Sequence, residues 1–165
     1  FDDDKGIHME YETTYNGKVM KLDMYRKNGK IYSKSDYSGN SSITLILDGY
    51  SYNLLTTTKT GTKRALTDEQ KDTLETSSNY AAIENYANMT DYKTGKMEAD
   101  GKEYYYEEYT VSDSKIRFLF DGKEIKYNIT YKDGKEESRL KYNAFDSNVD
   151  ESVFKVPSDY KITEI

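Results

Sequence analysis

The chain has 165 residues and a formal charge of −6, with 30 Asp and Glu against 24 Lys and Arg; it holds 18 Tyr, one His, one Pro, and neither Cys nor Trp. That is the length of one domain, and without Cys it has no disulfide, no thiolate nucleophile and no Cys-ligated metal. The acidic balance argues against a broad nucleic-acid-binding surface, and no run approaches the ~20 apolar residues of a membrane-spanning helix.

The first residues read as foreign. Phe1-Asp2-Asp3-Asp4-Lys5 resembles the end of an enterokinase-type tag, and Gly6-Ile7-His8-Met9 resembles a vector-encoded linker. Residues 1–9 are therefore expected to be a tag or vector remnant, to be set aside in fold reasoning, and 10–165 a single domain. On that expectation the lone imidazole, His8, falls outside the domain and histidine-dependent chemistry falls with it. A native acidic N-terminus is the alternative.

From there the chain is punctuated by Asn16-Gly17, Asn28-Gly29, Asp48-Gly49, Asp100-Gly101, Asp121-Gly122 and Asp133-Gly134. Both residues of such pairs tolerate positive φ, as tight hairpins require, so an antiparallel meander is predicted. The segments between alternate. Met20, Leu22 and Met24 share one face against Lys21 and Asp23. Ile43, Leu45 and Leu47 alternate likewise, then Tyr50, Tyr52 and Leu54. Later come Ile116, Phe118 and Phe120, then Ile125, Tyr127, Ile129 and Tyr131, then Leu140, Tyr142 and Ala144. Each reads as a strand with one buried and one wet face.

Thr67 to about Asn88 has neither Gly, Pro nor strict alternation. Thr67-Asp68-Glu69-Gln70 fits a capping box, and Leu74, Ser78, Ala81, Asn85 and Met89 fall on one stripe, with Ala82 and Tyr86 beside it. One helix lying against the sheet is predicted, between two sets of about five strands. Because only 35% of the residues are apolar even with Tyr counted, the core must use Tyr, whose ring packs while its hydroxyl stays hydrogen-bonded.

Catalytic and metal motifs are sparse. Asp146-Ser147-Asn148-Val149-Asp150-Glu151-Ser152 opens like a calcium loop, but Glu151 and Pro157 stand where Gly and Glu are needed, so turn capping is the better reading. Glu107-Glu108, Glu136-Glu137 and Asp150-Glu151 are carboxylate pairs, but strand neighbours point to opposite faces. No metal site, cofactor or catalytic residue is expected, and the chain reads as a non-enzyme. Tyr104-Tyr105-Tyr106-Glu107-Glu108-Tyr109 is aromatic on both faces of its strand. It suggests either a Tyr-lined cavity for an amphipathic ligand or a strand packed under the helix.

Several stretches carry a family resemblance: Met24-Tyr25-Arg26-Lys27-Asn28-Gly29-Lys30-Ile31-Tyr32, Asp100-Gly101-Lys102-Glu103-Tyr104-Tyr105-Tyr106, Lys115 to Gly122, and above all Asp150-Glu151-Ser152-Val153-Phe154-Lys155-Val156-Pro157-Ser158-Asp159-Tyr160. Over nearly all of residues 10–165 the chain resembles the LolA/LolB-type lipoprotein-sorting superfamily and its exported bacterial lipoprotein relatives. The resemblance implies a mainly β (α+β) fold, a curved, incomplete antiparallel β-barrel with the helix on its concave side. It also implies export to an extracytoplasmic place, the cell envelope or the outer face of the membrane, with membrane association through a lipid anchor upstream. The composition suits a Gram-positive surface lipoprotein, and the abundance of Tyr over Leu and Phe sets the chain apart from the carriers. The expected function is a non-enzymatic, monomeric domain that binds a lipid or other amphipathic ligand in the concave face, with no nucleic-acid partner. Tyr104, Tyr106, Phe118, Phe120, Tyr127 and Tyr142 are the expected contacts. A protein-interaction or envelope-sensor module on the same scaffold is the alternative.

Overall fold

The structure, a computed structural model, describes residues 3–15, 17–76, 81–147 and 149–165. A first meander comprises β1 (Ile7–Tyr15), β2 (Lys18–Lys27), β3 (Lys30–Tyr37), β4 (Asn40–Leu47), β5 (Tyr50–Leu55) and β6 (Thr60–Ala65). Two helical segments follow, α1 (Asp68–Thr76) and α2 (Ala81–Ala87). A second meander holds β7 (Lys93–Ala99), β8 (Lys102–Val111), β9 (Ser114–Asp121), β10 (Glu124–Lys132) and β11 (Lys135–Asp146), and β12 (Lys161–Glu164) closes the chain.

All twelve strands form one open sheet in the order β12-β6-β5-β4-β3-β2-β1-β11-β10-β9-β8-β7. Neighbours are antiparallel except β12, which runs parallel to β6. The pairing of β1 with β11 joins the two meanders. The expected mainly β, half-barrel-like antiparallel sheet is present, with twelve strands where about ten were predicted. The edges are β12 and β7, with β6 next to β12. Thr60–Ala65 and Lys93–Ala99 carry Gly and Lys and show little alternation, and β12 has four residues. Short, charged, Gly-bearing edges discourage pairing with other chains, and the same traits hide them from a search for periodicity.

Turn chemistry follows the sequence. Asn28-Gly29, Asp48-Gly49, Asp100-Gly101 and Asp133-Gly134 take positive φ at both positions, which suits the twist of paired strands. Ser38-Gly39 does the same without having been singled out. At Asp121-Gly122 only Gly122 has positive φ. Asn16 lies outside the described residues.

The capping box is realised in full: the Gln70 backbone N–H donates to Thr67 Oγ1 at 3.2 Å, and the Thr67 N–H donates to Gln70 Oε1 at 3.0 Å. Of the helix expected over 67–88, α1 and α2 are described, and residues 77–80 between them lie outside the described residues. Ser78 of the expected stripe lies outside the described residues. Leu74 of α1 shares a recess with Ile46, Leu66 and the Asn28-Gly29 and Asp48-Gly49 turns. From α2, Ile83 packs against Ile7, Met9 and Tyr142 in the centre of the sheet.

Residues 7–9, set aside on the tag reading, lie in β1. Ile7 is 1% and Met9 6% exposed; Ile7 pairs with β2, and Met9 with both β2 and β11, in the central strand of the sheet. The alternation Ile7, Met9, Tyr11 runs unbroken across the expected boundary, so residues 7–9 belong to the folded unit, whatever their origin.

Residues directly opposite in a ladder share a face, which sorts the core into two sides. The side that carries α2 holds the cluster of Ile7, Met9 and Tyr142, with Phe145 and Leu140 beside it. The opposite side holds two clusters. Under the first meander, Leu45 packs with Val149 and Phe154 of the segment between β11 and β12, among Tyr25, Tyr32 and Tyr52. In the second, Ala99, Leu119, Tyr127 and Ile129 pack with Met97, Tyr104, Tyr106 and Tyr131. The one-wet-face expectation therefore fails for β9: Phe118 and Leu119 are neighbours, both buried, on opposite faces.

Candidate functional site

Beneath α2, side chains from three strands line a recess of about 170 Å³. Ile83 and Tyr86 form its roof, and Tyr109 of β8, Phe118 and Phe120 of β9 and Ile125 of β10 its floor. The register explains the grouping: Glu107 faces Phe118, Tyr109 faces Ile116, and Phe120 faces Ile125. The Tyr86 ring lies edge-on to Phe118 at 5.1 Å and to Tyr109 at 5.7 Å, geometries favoured by the ring quadrupole. One charge adjoins this apolar lining. The Tyr109 hydroxyl donates to Glu107 Oε2 at 2.7 Å, and burial, then this carboxylate, push the Tyr109 pKa well above that of a free phenol. The recess can accept an apolar chain end and offers one carboxylate–phenol pair to a polar group.

The six residues expected to contact ligand divide between the two faces. Phe118 and Phe120 line the recess, and Tyr142 lies on the same side, in the cluster under Ile83. Tyr104, Tyr106 and Tyr127 are on the opposite side with Leu119 and Ile129. Two causes separate them. Alternation in β8 puts Tyr104 and Tyr106 opposite Tyr109, as the sequence predicts. An irregularity in the β9–β10 register between Ile125 and Tyr127 then places these two on different faces, which simple alternation does not foresee. Ile83, Tyr109 and Ile125 complete the recess without having been candidates. The aromatic run and the helix register are their only sequence signals.

Tyr142 has a pKa pushed up to about 12, by burial first and then by neighbouring Tyr11. A free phenol titrates near 10. Because the folded-state value is the higher, the associated stability is fully present below pH ~10 and is lost as pH rises toward 12. Tyr109 and Tyr127 are shifted in the same direction. Alkaline unfolding followed by circular dichroism and tyrosinate absorbance is expected to fall in that window, and to be shallower in Tyr142→Phe. Tyrosinate formation at Tyr142 in a fully folded protein near pH 10 would contradict it.

Two polar constellations lie on the opposite face. His8, excluded by the tag reading, stacks on Tyr25 with ring centroids 4.2 Å apart. Its Nε2 is 2.9 Å from Asp23 Oδ1 and its Nδ1 3.2 Å from Asp146 Oδ2. Both nitrogens lie within hydrogen-bond distance of carboxylates, so this group ties β1 to β2 and β11. Farther along, Tyr127 and Lys141 both donate to Asp100 Oδ2, at 2.7 and 2.8 Å, and Arg139 donates twice to Glu136. The ammonium of Lys141, then the Tyr127 hydroxyl, hold the Asp100 carboxyl below its usual range. Glu107 and Glu108 point to opposite faces, Glu108 pairing with Arg117, so they form no dyad. No group of three or more potential metal-ligating His, Cys, Asp or Glu side chains occurs among the described residues.

No family model matches the chain, and no curated protein does. Among solved structures it is similar to an uncharacterized conserved protein from Thermus thermophilus, with 12% identity and a TM-score of 0.52 over 98% of this chain and 91% of that one. A structure of PNGF-II in space group C2 aligns at 10% identity and a TM-score of 0.39, over 97% of this chain and 31% of that one. The first likeness shows that the fold is shared.

Proposed function

We propose that the chain is a non-enzymatic, exported lipoprotein domain of the LolA/LolB-like type that binds a lipid or other amphipathic ligand on the concave, helix-bearing face of its sheet. The observation that carries this reading is the recess beneath α2, where Phe118, Phe120, Tyr109 and Ile125 meet Ile83 and Tyr86 around a single carboxylate. Apolar lining with one polar group is the usual composition of a small-molecule site. At about 170 Å³ the recess is smaller than the ~300–1,000 Å³ of typical ligand pockets, so it takes one chain end, with the headgroup at Glu107 and Tyr109. The protein acts as a monomer outside the cytoplasm, at the membrane surface.

Native mass spectrometry of the protein with added palmitate, with displacement of a fluorescent fatty acid, tests this reading. Ala87 of α2 also lines the recess; Ala87→Phe, adding a ring there, is expected to weaken binding about tenfold, a loss of ~1.4 kcal/mol, while Tyr104→Ala on the opposite face leaves it unchanged. No bound amphiphile, or equal binding by Ala87→Phe, would overturn it. The small volume favours the second reading, a protein-interaction or envelope-sensor module without a lipid ligand, and that negative result supports it.

A further inference from the structure

The register of the first meander sets Ser33 opposite Thr44, Thr44 opposite Asn53, Asn53 opposite Thr62, and Thr62 opposite Thr163. With strands about 4.8 Å apart, these five side chains form a row roughly 19 Å long across β3, β4, β5, β6 and β12. A second row, Ser35, Ser42, Leu55 and Thr60, runs beside it. Both rows are on the same side of the sheet as α2. The outer strands frame a groove of about 460 Å³ lined by Ser42, Thr44, Asn53, Leu55, Thr62 and Thr163, among others.

Core packing does not account for this face. The core duty of β4 and β5 falls to the other side, where Ile43, Leu45 and Leu54 are buried. One third of the chain's residues are charged, and the solvated face of β7 and β8 carries Lys96, Glu98 and Glu103, yet the groove lining holds no charged side chain, and a charge enters only where the second row ends on β12, at Lys161. Strand propensity favours Thr but not Asn53. Thr44 Oγ1 donates to Asn53 Oδ1 at 3.4 Å. Among the described residues, the hydroxyls of Ser33, Thr62 and Thr163 and the amide nitrogen of Asn53 have no side-chain partner, although Asn53 and Thr163 are exposed.

We propose that this groove binds an uncharged polysaccharide chain. Hydroxyl and amide groups both donate and accept, and so match a ligand whose own hydroxyls recur along its length. Leu55, 55% exposed beside the row, offers apolar surface to the C–H face of a sugar ring. The uncharged lining fits a neutral polymer. The site is separate from the recess under α2 and does not depend on the lipid reading.

Sedimentation of the whole chain with insoluble cellulose and chitin, with soluble heparin as a charged comparator in affinity electrophoresis, tests the proposal. The unmodified protein is expected to be retained by at least one neutral polymer and not retarded by heparin. The triple variant Thr44→Val, Asn53→Leu, Thr62→Val keeps the shape of the row and removes three hydrogen-bonding groups, so retention should fall about tenfold or more. Circular dichroism and fatty-acid binding should stay unchanged. If the triple variant loses its fold, the single Thr62→Val, expected to weaken retention several-fold, takes its place. No retention by either neutral polymer, equal retention of the variants, or stronger binding to heparin would each overturn the proposal.

Discussion

Arg117→Met is expected to destabilise the domain by about 3 kcal/mol, read as a lower urea midpoint at unchanged m-value. The guanidinium Nε donates to Glu108 Oε2 at 2.7 Å, and Glu108 is 6% exposed, the buried charged residue of the core. The guanidinium also sits 4.7 Å from the ring centres of both Tyr106 and Tyr131, a cation–π arrangement that strengthens as water is excluded. Removing Arg117 strands a carboxylate in a desolvated position. Lys115 Nζ, 3.8 Å away and more than half exposed, is too distant and too solvated to replace it. The double variant Arg117→Met, Glu108→Met should recover much of the loss, because the largest cost is the unpaired charge. An effect below about 1 kcal/mol for the single variant would show that Glu108 is solvated in solution.

Phe154→Ala is expected to cost about 3–5 kcal/mol, the range for a large aromatic removed from a packed core. Phe154 and Val149 are buried against Leu45 among Tyr25, Tyr32 and Tyr52, and this segment is what covers the first meander on that side. Its backbone is tied down at one end, where the Val149 N–H donates to the Lys5 carbonyl at 2.9 Å and Lys27 Nζ donates to the Val149 carbonyl at 3.1 Å. The Lys30–Glu151 ion pair at 2.7 Å is partly exposed, so Lys30→Met should change stability by less than about 1 kcal/mol. Equal effects of the two substitutions in thermal unfolding would mean that the segment is held by surface charge and not by packing.

How much of this was legible beforehand depended on how local the cause is. The Asp-Gly and Asn-Gly hairpins and the Thr67–Gln70 box involve residues within a few positions of one another, and they take the conformations their chemistry predicts. The two-sided aromatic strand Tyr104–Tyr109 was also legible, because alternation in a regular strand needs no partner. The recess was not. Ile83 and Tyr86 meet Phe118 and Ile125 only because the helices connect opposite edges of the sheet, and Ile125 joins Phe120 only because the β9–β10 ladder slips between Ile125 and Tyr127. A slip of one residue exchanges the two faces, which is why a candidate list built on strict alternation mixed the sides.

The lone His and the hydroxyl row make the same point from opposite directions. Residues 1–9 resemble a tag in composition, yet the pairing of β1 with β2 and β11 puts Ile7 and Met9 in the core and His8 between two carboxylates. Ser33, Thr44, Asn53, Thr62 and Thr163 are unremarkable letters until five strands bring them into line. By itself the sequence determined the fold class, the hairpin turns, the capped helix start and the need for Tyr in the core, since each follows from short-range backbone chemistry or from composition. Tertiary structure alone decided which aromatics share a cavity, that Ile7 and Met9 join the core, and which polar groups form a surface. Those outcomes depend on strand order and register, which are set by contacts between residues far apart in the chain.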